Sequence, residues 1–289
     1  MFTTEHWKDY ELLDASDGER LERWGTHILI RPDPQIIWKG VAKHPAWKRA
    51  EAIYRRSRTG GGGWIKNELP ESWNIGYDHL RFVLRPMGFK HTGLFPEQAA
   101  NWDWFSDLIR GAKRPVKVLN LFAYTGGATV AAAAAGASVV HVDAAKGMVA
   151  QAKENAALSG LSDAPIRYIV DDCKKFAERE IRRGNRYDGI IMDPPSYGRG
   201  PGGEVWKLEE NIDDLISLTA QLLSDDPLFF LVNSYTTGLS SLTMRYLLEL
   251  KIKPRYGGRI ESDELALRVT QSGAYLPCGA ATRWQRIEP

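Results

Sequence analysis

The chain has 289 residues, a formal net charge of +2, 43% hydrophobic residues and 26% charged residues. This is an ordinary globular composition, long enough for one large domain and a smaller one, and the charge is too small to indicate nucleic-acid binding by itself. No segment is long and apolar enough to predict a membrane span, and the opening residues "MFTTEHWKDYELL" lack the apolar core of a signal peptide. Cys173 and Cys278 form no C-x-x-C pair, so neither a metal site nor a disulfide framework is predicted, and we expect a cytoplasmic protein.

The first hundred residues favour short strands separated by turns. Several segments combine β-branched or aromatic residues with flanking glycine or proline, which is typical of strands. These segments are "THILIRP", "QIIWKG", "GWIKN", "WNIGY" and "LRFVLRP". They predict a small β-rich domain over residues 1–95.

Charge and tryptophan are unevenly distributed within this domain. From Arg31 to Lys66 there are nine Lys/Arg residues against two acids, interleaved with Trp38, Trp47, Tyr54 and Trp64. Such a segment could bind phosphates and stack on bases, or it could be the basic surface of a tryptophan-rich core. On the first interpretation, the basic residues that lead into the glycine loop at 60–63 would contact RNA phosphates. These residues are Arg55, Arg56 and Arg58.

From residue 96 the pattern becomes an alternation of strand and helix. A predicted helix over 99–111 is followed by apolar strand-like segments, each leading into a helical segment. The strand-like segments are "VKVLNLFA", "SVVHVDA", "IRYIVDD", "YDGIIMD" and "LFFLVNS", and two further ones close the chain. This alternation predicts an α/β domain over 96–289, with a doubly wound, mostly parallel sheet and a final antiparallel hairpin.

Ligands of such sheets bind at the carboxyl ends of the strands, so the residues that follow each strand are informative. "FAYTGG" offers glycines and helix N-terminal amides, which suit a carboxylate or phosphate. Asp143 follows the next strand at a spacing typical of a ribose acceptor, although it could also cap a helix. Asp172 and Asp193 follow the third and fourth strands. Neither G-x-G-x-x-G nor a P-loop is present, so S-adenosylmethionine fits better than NAD or a nucleoside triphosphate.

These segments carry a resemblance to a known family. "VLNLFAYTGG", "VDAAKGMVAQAKENAALSG", "DDC" and "DGIIMDPPSYG" resemble class I, Rossmann-like methyltransferases that modify large-subunit ribosomal RNA. "HTGLFPEQ" is similar to a segment of that family that folds over the cofactor. The resemblance covers roughly residue 26 to the C-terminus, and it implies a short member without the PUA domain of the longer ones. The cofactor contacts that it implies are Gln98, Phe122, Tyr124, Thr125, Gly126, Gly127, Asp143, Asp172 and Asp193.

Two features of the sequence depart from that family. The family usually has an arginine soon after the glutamine, whereas Ala99, Ala100 and Asn101 follow Gln98 here. Members that methylate carbon 5 of cytosine carry a nucleophilic cysteine after the fifth strand, where this chain has Ser234 and Tyr235. The missing cysteine therefore argues against methylation of that carbon, while the resemblance to ribosomal RNA methyltransferases is retained.

The segment "DPPSY" predicts chemistry at nitrogen. The lone pair of a base amino group is delocalised into the ring, and a carboxylate with a carbonyl oxygen could take its two hydrogens. Asp193 and the Pro194 carbonyl are candidates for these acceptors, and Tyr197 could stack on the base. Ser196 separates Tyr197 from the second proline, so a guanine ring nitrogen is an alternative target.

The sequence thus predicts an S-adenosylmethionine-dependent methyltransferase acting on RNA. The resemblance implies that this RNA is ribosomal, and homo-oligomerisation is left open. A nicotinamide-dependent oxidoreductase, a methyltransferase of a protein or small molecule, and a non-catalytic RNA- or cofactor-binding protein are the alternatives.

Overall fold

A computed structural model of the protein describes residues 1–40, 44–57, 61–88, 90–199 and 205–287. The chain divides into two compact units. The smaller comprises Thr3–Ala99 and Ala266–Cys278, and the larger comprises Met1–Phe2, Ala100–Leu265 and Gly279–Pro289. Within the described residues, no helix has the length and apolar character needed to cross a membrane.

The smaller unit contains a five-stranded mixed sheet and a separate two-stranded hairpin. Its strands are β1 (Tyr10–Ser16), β2 (Glu19–Trp24), β3 (His27–Pro32), β4 (Ala52–Arg56), β5 (Gly62–Asn67), β6 (Trp73–Tyr77) and β7 (Leu80–Leu84). The first five form one sheet in chain order, with β3 and β4 parallel, and β6 and β7 form a separate hairpin. Short 3-10 turns cover Pro45–Arg49 and Pro96–Gln98.

Sequence patterns located β3, β5, β6 and β7 but missed β1, β2 and β4. The first two are joined by Asp17-Gly18, both with positive φ, which is the backbone that a tight hairpin turn requires. The strand predicted at 35–40 is wrong. This segment is irregular and exposes Ile37, while the indole N–H of Trp38 donates to the Ala15 carbonyl.

The structure also corrects the interpretation of Arg31. Its side chain is only 1% exposed, and its guanidinium donates to both carboxylate oxygens of Glu22 at 2.6 and 2.7 Å. Tyr10 donates to the same carboxylate, and Arg20 lies 3.5 Å from it. These cations hold the pKa of Glu22 at about 2 despite its burial. Arg31 thus stabilises the interior of the smaller unit and cannot reach a phosphate.

The larger unit alternates strands and helices. Its elements are α1 (Ala99–Gly111), β8 (Lys117–Leu121), α2 (Gly127–Ala134), β9 (Ser138–Asp143), α3 (Lys146–Leu158), β10 (Ile166–Val170), α4 (Cys173–Arg182), β11 (Gly189–Met192), β12 (Tyr197–Arg199), β13 (Val205–Lys207), α5 (Leu208–Ala220), β14 (Phe229–Ser234), α6 (Ser241–Lys251), α7 (Lys253–Tyr256), β15 (Arg259–Arg268) and β16 (Tyr275–Gln285). The last three residues of β15 and the first four of β16 are counted with the smaller unit.

Seven of these strands form one sheet in the order β10-β9-β8-β11-β14-β16-β15. The first five are parallel, and β16 pairs antiparallel with β14. The predicted doubly wound, mostly parallel sheet with a final antiparallel hairpin is confirmed. The short ribbon of β12 and β13 was not predicted, because the sequence between β11 and α5 has the polar, glycine-rich character of a loop.

The buried strands pack against helices that supply apolar residues at helical spacing. One continuous cluster joins Leu119, Leu121 and Met192 of the sheet with Phe176 of α4 and Leu215 of α5, all at most 1% exposed. Burial on both faces explains why these strands read as apolar runs. Because these strands are parallel, their carboxyl ends lie at one edge of the sheet.

Candidate active site at the carboxyl edge of the parallel sheet

Four loops meet where the parallel strands end. In the ladders, Leu121 of β8 pairs with Val142 of β9 and with Met192 of β11, and Val170 of β10 pairs with Asp143. The residues that follow therefore emerge side by side at one edge of the sheet. The structure brings the predicted residues of all four loops to this edge.

The loop between β8 and α2 has an unusual backbone. Phe122 and Tyr124 have φ values of 54° and 50°, and Gly126 has 82°. Left-handed backbone is costly for bulky aromatic residues, roughly 1–3 kcal/mol each, and such residues cluster at functional sites. These φ values make the backbone of the loop turn sharply at the carboxyl edge of the sheet.

Gly126 is required by close packing as well as by φ. A Cβ atom on this residue would lie 2.7 Å from the Ala152 Cβ on α3. The Thr125 carbonyl next to it accepts a hydrogen bond from Asn155 Nδ2 at 2.8 Å. The loop therefore lies directly on α3, and Gly127 begins α2 immediately after it.

Asp143, the last residue of β9, ties two loops together. Its Oδ2 accepts the Tyr124 N–H and its Oδ1 accepts the Ala145 N–H, both at 2.8 Å. The predicted alternative, a side-chain cap on α3, is not seen, since Ala145 occupies the N-cap position. Each carboxylate oxygen keeps a second lone pair, so the half-exposed side chain can still accept from a ribose.

Asp172 is the N-cap of α4. Its Oδ1 accepts the Lys175 N–H at 2.8 Å, and its side chain is exposed at the sheet edge. The neighbouring Asp171 forms an ion pair with Arg179 and accepts the Asp172 N–H. Asp172 therefore has a structural role, and its carboxylate keeps the capacity to accept from a ligand donor.

The loop after β11 contains Asp193 and Pro194, the residues predicted to accept hydrogen bonds from the target base. The Asp193 N–H donates to the Leu121 carbonyl at 3.4 Å, which joins this loop to the end of β8. Asp193 is half-buried, Pro194 is buried, and Tyr197 at the start of β12 is 53% exposed.

Sequence reasoning missed Trp206 on β13. Its indole N–H donates to the Pro195 carbonyl at 2.6 Å, and its ring lies 6.1 Å from the ring of Phe122. No sequence signal marks this residue, because its contacts depend on an unpredicted ribbon.

The two thiols are held in the protonated form. Burial raises the pKa of Cys173 and of Cys278 well above the usual thiol range. The Cys173 Sγ accepts the Phe122 N–H at 3.2 Å, so it supports the strained loop. Ser234, the last residue of β14, is buried, and its hydroxyl accepts the Thr236 N–H.

Gln98, the remaining predicted cofactor contact, lies in the 3-10 turn Pro96–Gln98 of the smaller unit. Its predicted contact with a cofactor stays a prediction. Among the described residues, no group of three or more His, Cys, Asp or Glu side chains could hold a metal ion.

Lys48, Arg49 and Arg56 are exposed basic residues of the smaller unit, and we refer to them together as the basic surface. Arg55 forms an ion pair with Glu19, and the Lys66 ammonium donates to the Ala50 carbonyl. Trp64 packs edge-on against Tyr54 with its indole N–H on the Met87 carbonyl. Arg58 lies outside the described residues.

Comparison with solved structures gives a match over nearly the whole chain. A SAM-dependent methyltransferase from Agrobacterium tumefaciens aligns with a TM-score of 0.92 and 37% identity, covering 99% of this chain and 93% of that one. A candidate SAM-dependent methyltransferase from Streptococcus mutans aligns at 0.73 and 19% identity, covering 97% and 76% of the two chains. At that identity the second match shows the fold alone.

Curated relatives match part of the chain. A ribosomal RNA large subunit methyltransferase K/L of Shewanella frigidimarina is 34% identical over 146 residues, which is 50% of this chain and 20% of that protein. Its namesake from Shewanella oneidensis is 33% identical over 181 residues, covering 60% and 23%. The chain thus spans about a fifth of the length of these relatives. The family model for S-adenosylmethionine-dependent methyltransferases matches residues 39–223, well over half of the chain. The glycine loop, the Asp143 carboxylate and the Asp-Pro-Pro loop lie at one sheet edge, and this family match shows that the chain belongs to the S-adenosylmethionine-dependent methyltransferases.

Proposed function

We propose that this protein transfers the methyl group of S-adenosylmethionine to a nitrogen atom of a base in RNA, with large-subunit ribosomal RNA as the substrate. The observation that carries the proposal is the pairing of Leu121 with Met192. It brings the strained loop that begins at Phe122 alongside the loop that begins at Asp193. A donor held by the first loop would therefore lie next to an acceptor held by the second.

The cofactor site in this proposal uses the residues of three loops. The turned backbone at Phe122, Tyr124 and Gly126, with Thr125 and Gly127, would receive the amino-acid end of the cofactor. Asp143 would accept the ribose hydroxyls, and Asp172 would accept from the adenine amino group. The fit is supported by the absence of a Cβ at Gly126 and by the oriented carboxylate of Asp143.

Methyl transfer would require mainly that the protein align the donor with the target nitrogen, because the sulfonium of the cofactor would supply an already activated methyl group. The Asp193 carboxylate would accept one hydrogen of the target amino group and the Pro194 carbonyl the other. Both contacts would direct the nitrogen lone pair toward the donor. When the nitrogen gains the methyl group it must lose a proton, and in this proposal Asp193 accepts it. Tyr197, exposed on β12, offers a stacking face for the base.

The buried, protonated thiols favour nitrogen chemistry over attack by a cysteine. Cys173 supports the Phe122 amide, and Ser234 stands where a nucleophilic cysteine would be needed. A covalent enzyme–RNA intermediate is therefore no part of the proposal.

An RNA substrate is supported by the curated relatives, which are named as ribosomal RNA methyltransferases, and by the basic surface. In this proposal the smaller unit holds RNA while the larger unit carries out the chemistry. The cytoplasmic location and the division at residue 95 stay predictions, and homo-oligomerisation stays open.

Mass spectrometry of ribosomal RNA nucleosides from a deletion strain and its parent tests the proposal. We expect one N-methylated nucleoside to be lost, and to return when purified protein and S-adenosylmethionine are added to the RNA. Unchanged nucleosides would contradict the RNA substrate. Transfer of methyl groups to a protein or small molecule in the same extract would favour that alternative, and binding of S-adenosylhomocysteine without any transfer would favour a non-catalytic protein.

A further inference from the structure

The loop after β11 presents three successive backbone carbonyls, and two of them have partners. The Pro195 carbonyl accepts the Trp206 indole N–H at 2.6 Å, and the Ser196 carbonyl accepts the Leu208 N–H at 3.1 Å. The Pro194 carbonyl has no hydrogen-bond partner within the described part of the chain.

Trp206 is held from both sides. In the β12–β13 ribbon it pairs with Gly198, and its Cβ lies 3.8 Å from where a Cβ of Gly198 would be. Its ring lies against Phe122 of the loop after β8, with the two planes tilted by 40°. One side chain therefore connects the loop assigned to the donor with the loop assigned to the acceptor.

We propose that Trp206 is a positioning residue that selects the Pro194 carbonyl as the acceptor for the target base. By engaging the Pro195 carbonyl, the indole N–H fixes the orientation of the peptide units on either side of it. Without this bond the loop can rotate, and the Pro195 carbonyl can compete for the substrate hydrogen. The inference rests on the proposed function, and it concerns turnover rather than cofactor binding.

The central variant is Trp206→Phe, which keeps a ring beside Phe122 and removes the N–H donor. Trp104→Phe is the matched control. Trp104 lies on α1 of the same unit, and its indole N–H donates to Gln285 Oε1 at 3.0 Å, so the control also removes one indole hydrogen bond. Trp206→His retains a ring N–H and tests rescue. Each is compared with wild type on ribosomal RNA from the deletion strain.

We expect Trp206→Phe to lower kcat about five- to tenfold, the range produced by removing one net hydrogen bond. KM for S-adenosylmethionine, affinity for S-adenosylhomocysteine and the urea midpoint should stay within the range of Trp104→Phe. Trp206→His should retain more turnover than Trp206→Phe. An unchanged kcat, or parallel decreases of kcat and cofactor affinity, would overturn the assignment.

Hydrogen exchange of the peptide containing residues 193–199 tests the positioning role without RNA. Faster exchange at Ser196, Tyr197 and Gly198 is expected in Trp206→Phe and not in Trp104→Phe. Equal exchange in wild type and variant would overturn the inference even if the enzyme methylates RNA. Faster exchange in Trp206→Phe, in a protein whose wild type methylates no RNA, would sustain the positioning role and contradict the proposed function instead.

Discussion

At the scale of single residues, Gly126 shows how backbone and packing jointly restrict the site. Replacing it with alanine would place a Cβ 2.7 Å from that of Ala152 on a residue with a φ of 82°. We expect Gly126→Ala to lower the free energy of unfolding by about 1–3 kcal/mol and to weaken binding of S-adenosylhomocysteine.

Gly136→Ala is the matched control for that change, because it also has a positive φ but nothing within 4 Å of its Cβ position. Gly136→Ala should lower the free energy of unfolding only through its positive φ, and it should leave cofactor affinity unchanged. Urea titration and calorimetry on both variants make the comparison. Equal effects of the two substitutions on affinity would argue against a cradle at Gly126.

His141 is a buried histidine that should make the stability of the protein depend on pH. It is fully buried on β9, its Nδ1 lies 2.9 Å from the Thr129 hydroxyl, and its Nε2 has no hydrogen-bond partner among the described residues. Burial lowers its pKa from 6.5 to about 4. The unfolded chain therefore binds a proton in a pH range where the folded chain does not, and stability must fall as the pH drops below 6.5 toward 4.

From this shift, His141 should contribute a loss of about 2 kcal/mol between pH 7 and pH 5. In His141→Asn the amide can still interact with Thr129, but no group titrates there. We expect the stability of the variant, measured by urea unfolding, to depend less on pH by that amount. The same substitution at exposed His79 is the control. Identical slopes for His141→Asn and wild type would show that the imidazole is not a source of acid lability.

The two thiols lead to a prediction about mechanism. Because burial raises the pKa of both, neither should serve as a nucleophile near neutral pH. Changing Cys173 and Cys278 together to alanine should leave kcat within about twofold, at a stability cost of about 1 kcal/mol for the unpaired Phe122 N–H. Loss of activity in a folded double variant, or trapping of wild type on RNA containing 5-fluorocytosine, would refute noncovalent transfer.

At the scale of elements, the parallel sheet was predictable and the ribbons were not. Strands such as β11, with four buried residues, are continuous apolar runs followed by polar loops, and this pattern survives without tertiary information. β1 and β2 carry charged residues at buried positions, such as Asp14 on β1 and Arg20 and Glu22 on β2. No local pattern reveals the hydrogen bonds and ion pairs that allow this burial. The β12–β13 ribbon pairs Gly198 with Trp206 across the two strands. The local sequence does not reveal this pairing, because it is polar and rich in glycine like a loop.

The same distinction applies to the site. The positions of Asp143, Asp172 and Asp193 followed from the ends of predicted strands. Their additional backbone partners could not be predicted, because these depend on how neighbouring loops turn. Asp143 is the clearest case, since it joins the loop after β8 to the start of α3.

That connection predicts a large effect of Asp143→Ala on cofactor binding. The variant removes the proposed acceptor for ribose and leaves the Tyr124 and Ala145 amides without their Asp143 partner. We expect affinity for S-adenosylhomocysteine to fall by about 1–3 kcal/mol. Asp163→Ala, at an exposed position before β10, serves as the control. Calorimetry showing equal affinity for Asp143→Ala and wild type would remove Asp143 from the proposed cofactor site.

At the scale of the whole molecule, the small net charge conceals an uneven distribution. The structure reduces the candidate RNA contacts by burying Arg31 and pairing Arg55 with Glu19. The basic surface formed by Lys48, Arg49 and Arg56 remains exposed. If RNA binds there, phosphate contacts will release counterions, and affinity will fall steeply as salt rises.

Replacing all three residues of the basic surface with alanine should therefore weaken RNA binding at low salt. It should also reduce the slope of log affinity against log salt by about 2–3, close to one unit for each phosphate that is no longer neutralised. The control removes the same charge from exposed positions of the larger unit, Arg110, Lys113 and Lys153. Affinity for S-adenosylhomocysteine should be unchanged in both variants, which separates RNA binding from folding and from the cofactor site. If the basic residues only solvate the smaller unit, filter binding across a salt series will give the same slope for the variant, the control and wild type.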